Sequence, residues 1–401
     1  MPLIEPRFRL IFAALFGVFI IFGTSMTIIG ATLPKILVSF GWSYFVAGLV
    51  LAANAIAYFS FTFVGGYLVK YFGPKRTILI GLVIGAVGML FFAATPDPLT
   101  NILLSAFMGV GQGCVEISVN WTTLRLDTAK SGRPMNLMHG AFAVGAIIGP
   151  LALGALVARG FDWVTIYRCM SGVFAGLAVF ILFLQMEFST AADAMPLGDT
   201  RISRHPAYWL SFLALFFYVG VELGVSNWVA EYFVSTLAYP TAKSGLLVSL
   251  FWAGLLAGRF GVPLMYHGQR QDVVLMGFSL LATLAIAGLS ALSFLPRGEL
   301  TTEIGLLLVF LSGLGCSIFY PAVITLLGAC FPQAQSQAIG FAATGGGIGS
   351  FLFPFIMSAL AQAWGLRAGF ATYAVFGVAM TLAALGLSMA ARQHQGFTRE
   401  I

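Results

Sequence analysis

Gln112, Glu116 and Asn120 recur every four residues in "GQGCVEISVN" (111–120). That spacing sets an amide, a carboxyl and a second amide along one helix face. Glu116 is the sole charge between Leu99 and Leu124. A carboxylate in hydrocarbon costs a few kcal/mol or more, so such a stripe must face protein or a water-filled cavity. Amides and a carboxyl in line offer both donors and acceptors, which suits a hydroxyl-rich solute. The carboxyl can also take up and release a proton. The structural alternative is an acid paired with a neighbouring helix, for example with an Arg.

A second stripe lies in "YVGVELGVSNWVAEYF" (218–233), where Tyr218, Glu222 and Ser226 share a face. Asn227 and Trp228 follow about one turn further out. An indole beside hydroxyl and amide groups can stack on the C–H face of a sugar ring, or anchor the helix at the membrane interface. Glu231 is expected at the outer surface as a solvated charge. "RPMNLMHGAF" (133–142) sets Asn136 and His139 one turn apart. His139 reads either as a satisfied hydrogen-bond partner or as a titrating gate. Further polar residues inside apolar runs are Ser25, Thr27, Asn54, Tyr58, Trp252, Arg259 and Tyr320. Arg259 is expected to snorkel to the cytoplasm or to pair with a loop or helix end.

The elements that must position these groups follow from composition. Of 401 residues, 59% are hydrophobic and 8% are charged; mean hydropathy is +0.96. A soluble domain carries about 25% charged residues, so most of this surface must meet lipid. Apolar runs long enough to cross a bilayer as helices recur twelve times, near 9–33, 44–69, 77–95, 99–124, 134–158, 164–186, 207–234, 243–266, 273–295, 303–329, 335–361 and 368–391. The first run is too long for a cleaved signal peptide and reads as the first span. Cys114, Cys169, Cys316 and Cys330 lack metal or CxxC spacing and are expected to be buried small apolar residues.

The net charge of +6 reflects Lys and Arg on inner loops, with no basic run suited to nucleic acid. With the N-terminus inside, thirteen Lys and Arg, Lys130 and Arg76 among them, fall on inner segments and five, Arg159 among them, on outer ones. Both termini are therefore expected in the cytoplasm. The polar stretch 187–206 divides the chain into halves, 1–186 and 207–401, joined by a cytoplasmic loop. The halves repeat. "GAFAVGAIIGP" (140–150) and "GFAATGGGIGS" (340–350) align their glycines at an offset of 200. "GQGC" (111–114) matches "GLGC" (313–316), and Gly66 and Gly73 have the spacing of Gly261 and Gly268. Together these predict an all-α membrane protein of twelve transmembrane helices in two pseudo-symmetric six-helix bundles. Gly145-x-x-x-Gly149 is expected to let helix backbones approach closely, and Pro150 to bend its helix.

There is no P-loop, no Rossmann fingerprint, no HExxH and no nucleophile elbow. An enzyme is not expected, nor a bound metal or organic cofactor.

The chain resembles a major facilitator superfamily transporter over its whole length. "GGYLVKYFGPKR" (65–76) resembles that family's cytoplasmic loop motif at Gly66, Gly73, Lys75 and Arg76, with Lys70 where the motif usually has Asp. "GAIIGP" (145–150) resembles in part the glycine-proline motif of many antiporters. Within the superfamily the chain is similar to the fucose–galactose–glucose:cation symporter group, through Glu116, Asn120, "NLMHGAFAVGAIIGP" (136–150) and "YVGVELGVSNW" (218–228). The resemblance implies alternating access, a coupling acid at Glu116, and sugar contacts at Asn120, Asn136, Glu222 and Asn227. Some fucose-type members carry an acid in the first span, which "GVFIIFGTSMTIIGATLP" (17–34) lacks, so a second coupling acid would be Glu222.

The expected function is uptake of a small polar solute, a monosaccharide, coupled to a proton, with Na⁺ as the alternative ion, by a monomer in the inner membrane. Gln112, His139, Tyr218, Ser226, Trp228, Trp252 and Tyr320 are the further candidate solute contacts. Gly66, Gly73, Lys75, Arg76 and Arg259 are the gating set. The alternatives are a drug or lipid efflux antiporter and a non-transporting membrane sensor.

Overall fold

A computed structural model describes residues 4–127, 133–186, 200–265, 270–331 and 334–399 of the chain. Lys130, Gly268 and 187–199 of the central connection lie outside the described residues. The chain forms two compact units, residues 1–194 and 195–401. Among the described residues, twelve helical segments are long and apolar enough to span a membrane.

The first unit holds α1 (Arg9–Phe40), α2 (Tyr44–Phe72), α3 (Pro74–Phe91), α4 (Pro98–Leu126), α5 (Arg133–Ala158) and α6 (Trp163–Phe183). Its helix ends carry local signals. Gly41, at φ 64°, ends α1, and Gly73, at φ 82°, turns the chain between α2 and α3. The side chain of Asp97 caps α4 by accepting from the Thr100 N–H at 2.8 Å and from its hydroxyl at 2.6 Å. Those bonds hold the Asp97 carboxyl below its usual range. Arg168 serves the end of α3, donating to the carbonyls of Met89 and Phe92 at 2.8 and 2.7 Å.

The second unit holds α7 (Pro206–Leu237), α8 (Gly245–Met265), α9 (Gln271–Leu292), α10 (Glu299–Cys316), α11 (Phe319–Cys330), α12 (Gln335–Trp364) and α13 (Leu366–Arg399). The run read as one tenth span is thus two helices, broken at Ser317–Ile318. Pro321 supplies the reason: it has no N–H to donate to the Ser317 carbonyl four residues earlier.

Glycine contacts give the repeat its physical content. A Cβ at Gly145 would lie 1.8 Å from the Ile20 carbonyl oxygen, and one at Gly149 2.6 Å from the Thr24 methyl. In the other unit Gly345 and Gly349 meet the carbonyls of Phe212 and Phe216, at 2.4 and 1.9 Å. The same i, i+4 pattern therefore seats α5 on α1 and α12 on α7. Thr24 adds a hydroxyl bond to the Gly145 carbonyl at 3.0 Å. The "GQGC"/"GLGC" match needs a shift. Gly113 faces α2 and Gly313 faces α8, while Gly111 faces α3 and Gly315 faces α9. The equivalent pair is therefore Gly113 and Gly313, again 200 apart.

Cys114, Cys316 and Cys330 are buried, but Cys169 is exposed on α6. It sits within an apolar span whose outer side meets lipid, where a thiol behaves as a small apolar group.

Candidate functional site

In the first unit the polar stripe of α4 is divided between two neighbours. The Gln112 side-chain amide donates to the Ser25 hydroxyl on α1 at 3.4 Å. Glu116 turns to α2, where the Tyr58 hydroxyl donates to its carboxylate. Among the described residues Glu116 makes no ion pair, so its partner is a neutral hydroxyl and not an Arg. Two acceptors, Gln112 Oε1 and Asn120 Oδ1, are buried without a partner among the described residues. Unmet acceptors inside a membrane are costly and are suited to a solute's hydroxyl protons.

The α2–α4 approach is set by glycine. A Cβ at Gly113 would lie 2.5 Å from the Tyr58 carbonyl oxygen, and one at Gly109 2.3 Å from that of Asn54. Gly113 precedes Glu116 by three residues, so the face that lets α2 close also presents the acid to Tyr58. Asn54 belongs to this packing: its amide donates to the Ser105 carbonyl at 2.9 Å. At the start of α5, Asn136 is exposed, and the His139 ring stands edge-on to Phe19 at 6.1 Å.

In the second unit the Tyr218–Glu222–Ser226 stripe points into its own bundle. All three residues are buried. Tyr218 stacks flat on Phe319 of α11, with centroids 4.8 Å apart and planes at 3°. Among the described residues its hydroxyl closes no hydrogen bond of good geometry, although Glu222 lies one turn away and interacts with it. Ser226 accepts the Trp252 indole N–H at 2.8 Å, so these two candidates satisfy each other. Trp228 is 0% exposed and offers neither an interfacial anchor nor a stacking face. Asn227 is the polar residue of this segment that keeps partial exposure, and Tyr320, just past the helix break, does so too.

One charge expectation changes and another resolves between its two readings. Glu231 is 4% exposed, not a solvated surface charge, and its carboxylate accepts the Ser235 hydroxyl one turn on. Of the two readings of Arg259, the structure shows pairing with a helix end: its Nε donates to the carbonyl of Ser317, just past α10, at 3.4 Å, within electrostatic reach of Glu222.

At the loop motif, Gly73 has the positive φ that requires glycine. Gly66 is exposed with open space where a Cβ would go, and the close approach is made by Gly65, whose Cβ would sit 2.6 Å from Ile117 Cγ2. Lys75 is half-buried and Arg76 exposed. The second unit has a carboxylate where its helices meet: Asp272, at the start of α9, accepts from Arg270 at 3.1 Å and from Arg392 of α13 at 2.6 Å. No group of three or more His, Cys, Asp or Glu that could hold a metal occurs among the described residues.

Sequence reasoning placed Tyr58 in a span but not beside the acid. The signal was Gly113, which marks where α2 touches α4. Pro321 and Ser317 escaped it because an apolar run with one Pro reads as a continuous span.

Two bundles, with twelve membrane-spanning candidates among the described residues, define a multi-pass membrane protein. Residues 15–298 and 264–400 match the family profile of the Major Facilitator Superfamily, and the chain belongs to that family. It is similar to a putative glucose/galactose transporter of Helicobacter pylori, at 23% identity over 346 residues covering 82% of this chain and 83% of that protein. Its fold matches the nucleoside transporter NupG, with a TM-score of 0.77 at 14% identity over 93% of this chain and 99% of that one. It also matches the Escherichia coli fucose:proton symporter FucP, with a TM-score of 0.62 at 20% identity over 94% and 98% of the two chains.

Proposed function

We propose that this transporter carries a small polyhydroxylated solute, a monosaccharide, into the cell with a proton. The observation behind this reading is Glu116: a carboxyl inside α4 held by the neutral Tyr58 hydroxyl, with no cation among the described residues to fix it in the ionised form. Such a group can gain or lose a proton without breaking an ion pair. Beside it along the helix stand the unmet acceptors of Gln112 and Asn120. The names of the Helicobacter relative and of FucP support sugar as the solute class. Protonated Glu116 would allow the loaded carrier to reorient, and loss of the proton to the cytoplasm would favour release. Glu222 is the second candidate acid. One carboxyl suffices for a proton, whereas Na⁺ needs a cage of several oxygens. The carrier acts as a monomer in the inner membrane with both termini cytoplasmic.

The test is counterflow in proteoliposomes with radiolabelled sugars, nucleosides, amino acids and dyes, followed by uptake under separately imposed pH and Na⁺ gradients. Sugar exchange together with accumulation driven by the pH gradient supports the reading. Exchange of dyes alone would point to an efflux antiporter. Accumulation that follows Na⁺ and ignores the pH gradient would overturn proton coupling.

A further inference from the structure

The break between α10 and α11 leaves a backbone acceptor to be satisfied. In a continuous helix the Ser317 carbonyl would accept from the N–H of residue 321. Pro321 has none. The neighbouring carbonyls are served: Ile318 O accepts from Ala322 N at 3.0 Å, and Leu314 O from Ser317 N at 3.2 Å. The Ser317 hydroxyl gives no help, because it turns back onto the Leu314 carbonyl at 2.6 Å. The donor comes from another helix: Arg259 Nε of α8 reaches Ser317 O at 3.4 Å. The helices touch at this level. A Cβ at Gly258 would lie 1.9 Å from Ser317 Oγ, and one at Gly254 2.1 Å from the Phe310 carbonyl oxygen. Glycine at 258 thus brings the next residue, Arg259, to the broken turn.

The restart of the helix is tied to the acid of α7. Phe319, first residue of α11, lies flat against Tyr218, and Tyr218 stands one helical turn from Glu222. Tyr320 follows and keeps partial exposure. Where the break sits therefore decides how Phe319 packs on Tyr218 and how Tyr320 is presented. A guanidinium suits this post: it stays charged and its donors form a rigid fork.

We propose that Arg259 is a positioning residue: it supplies the hydrogen-bond donor that Pro321 lacks, and so holds the α10–α11 break in the geometry that seats Phe319 on Tyr218 and presents Tyr320. The consequence for solute affinity rests on the sugar-carrier reading above; the capping of Ser317 does not.

The experiment pairs a loss with a specific suppressor in the full-length protein. Arg259→Gln weakens the donor, Arg259→Lys keeps a cationic one, and Pro321→Ala restores the backbone N–H. In detergent, Arg259→Gln is expected to lower Tm by about 2–4 °C, with Arg259→Lys closer to the parent. Adding Pro321→Ala to Arg259→Gln should recover most of the loss, since residue 321 can then serve Ser317 itself. In proteoliposomes Arg259→Gln should raise the KM for the exchanged sugar about tenfold, roughly one hydrogen bond's worth, with a smaller effect on maximal rate. The same suppressor should bring KM back. A double variant that stays as unstable as Arg259→Gln, or an Arg259→Gln protein with unchanged Tm, overturns the capping role. Recovery of Tm without recovery of KM overturns the link to the site. If no sugar is exchanged by the parent protein, the sugar reading fails while the Tm comparison still decides the cap.

Discussion

At the residue scale the arrangement turns on which neighbour each acid has. Glu116 has a tyrosine. Glu116→Gln mimics the protonated acid and should keep solute exchange while losing accumulation against a gradient; a variant that still concentrates solute as well as the parent would remove Glu116 from coupling. Tyr58→Phe deletes the hydroxyl that bonds to the acid. A hydrogen bond to a charged group contributes about 1.5–3 kcal/mol, so gradient-driven uptake should fall about tenfold or more. If Tyr58 acts through Glu116, the phenylalanine substitution should add nothing in the Glu116→Gln background, and the double-mutant cycle measures this directly. Glu231 makes the complementary case. Its charge suggested a surface, yet it is buried and accepts from Ser235. Glu231→Ala is therefore expected to destabilise the protein by about 1–3 kcal/mol, read as a lower Tm in detergent.

At the element scale, glycine contacts decide where helices meet. Without a hydrophobic driving force between helices in lipid, close backbone approach carries the packing. Gly145→Leu would drive a side chain into the Ile20 carbonyl, against which even a Cβ stands at 1.8 Å. This variant should yield little monodisperse protein on size-exclusion chromatography. Gly66→Ala meets open space and should purify like the parent; equal yields for both would show that α1 and α5 do not depend on this contact. The glycine pattern is legible in the sequence, because Gly145 and Gly149 repeat at Gly345 and Gly349. The partner of each glycine is not, since Ile20 and Phe212 are ordinary apolar residues at that level.

At the scale of the whole molecule the sequence predicts a topology: both termini inside, with Lys and Arg gathered on inner segments. With the exposed Cys169 first replaced by Ser, single cysteines at Arg76→Cys and Arg159→Cys give opposite expectations, and both positions are exposed. A membrane-impermeant thiol reagent on intact cells should label position 159 and spare 76. The reverse pattern would invert the topology.

Composition and patterning determined a great deal here. A chain with 8% charged residues and twelve apolar runs has one way to satisfy its backbone in lipid, which is to form helices. The repeat then determined two bundles, and the scarcity of charge exposed Glu116 and Glu222 as candidates. What helical spacing leaves open is which neighbour a face meets. Gln112 and Glu116 share one stripe, yet one meets α1 and the other α2. The α7 stripe looked like a cavity wall, but Trp252 and Phe319 close over it from other helices. The break at Ser317 belongs to both levels. Pro321 removes the donor in the sequence itself, but only the packing of α8 on α10 brings Arg259 to replace it, because that contact joins residues 58 apart along the chain.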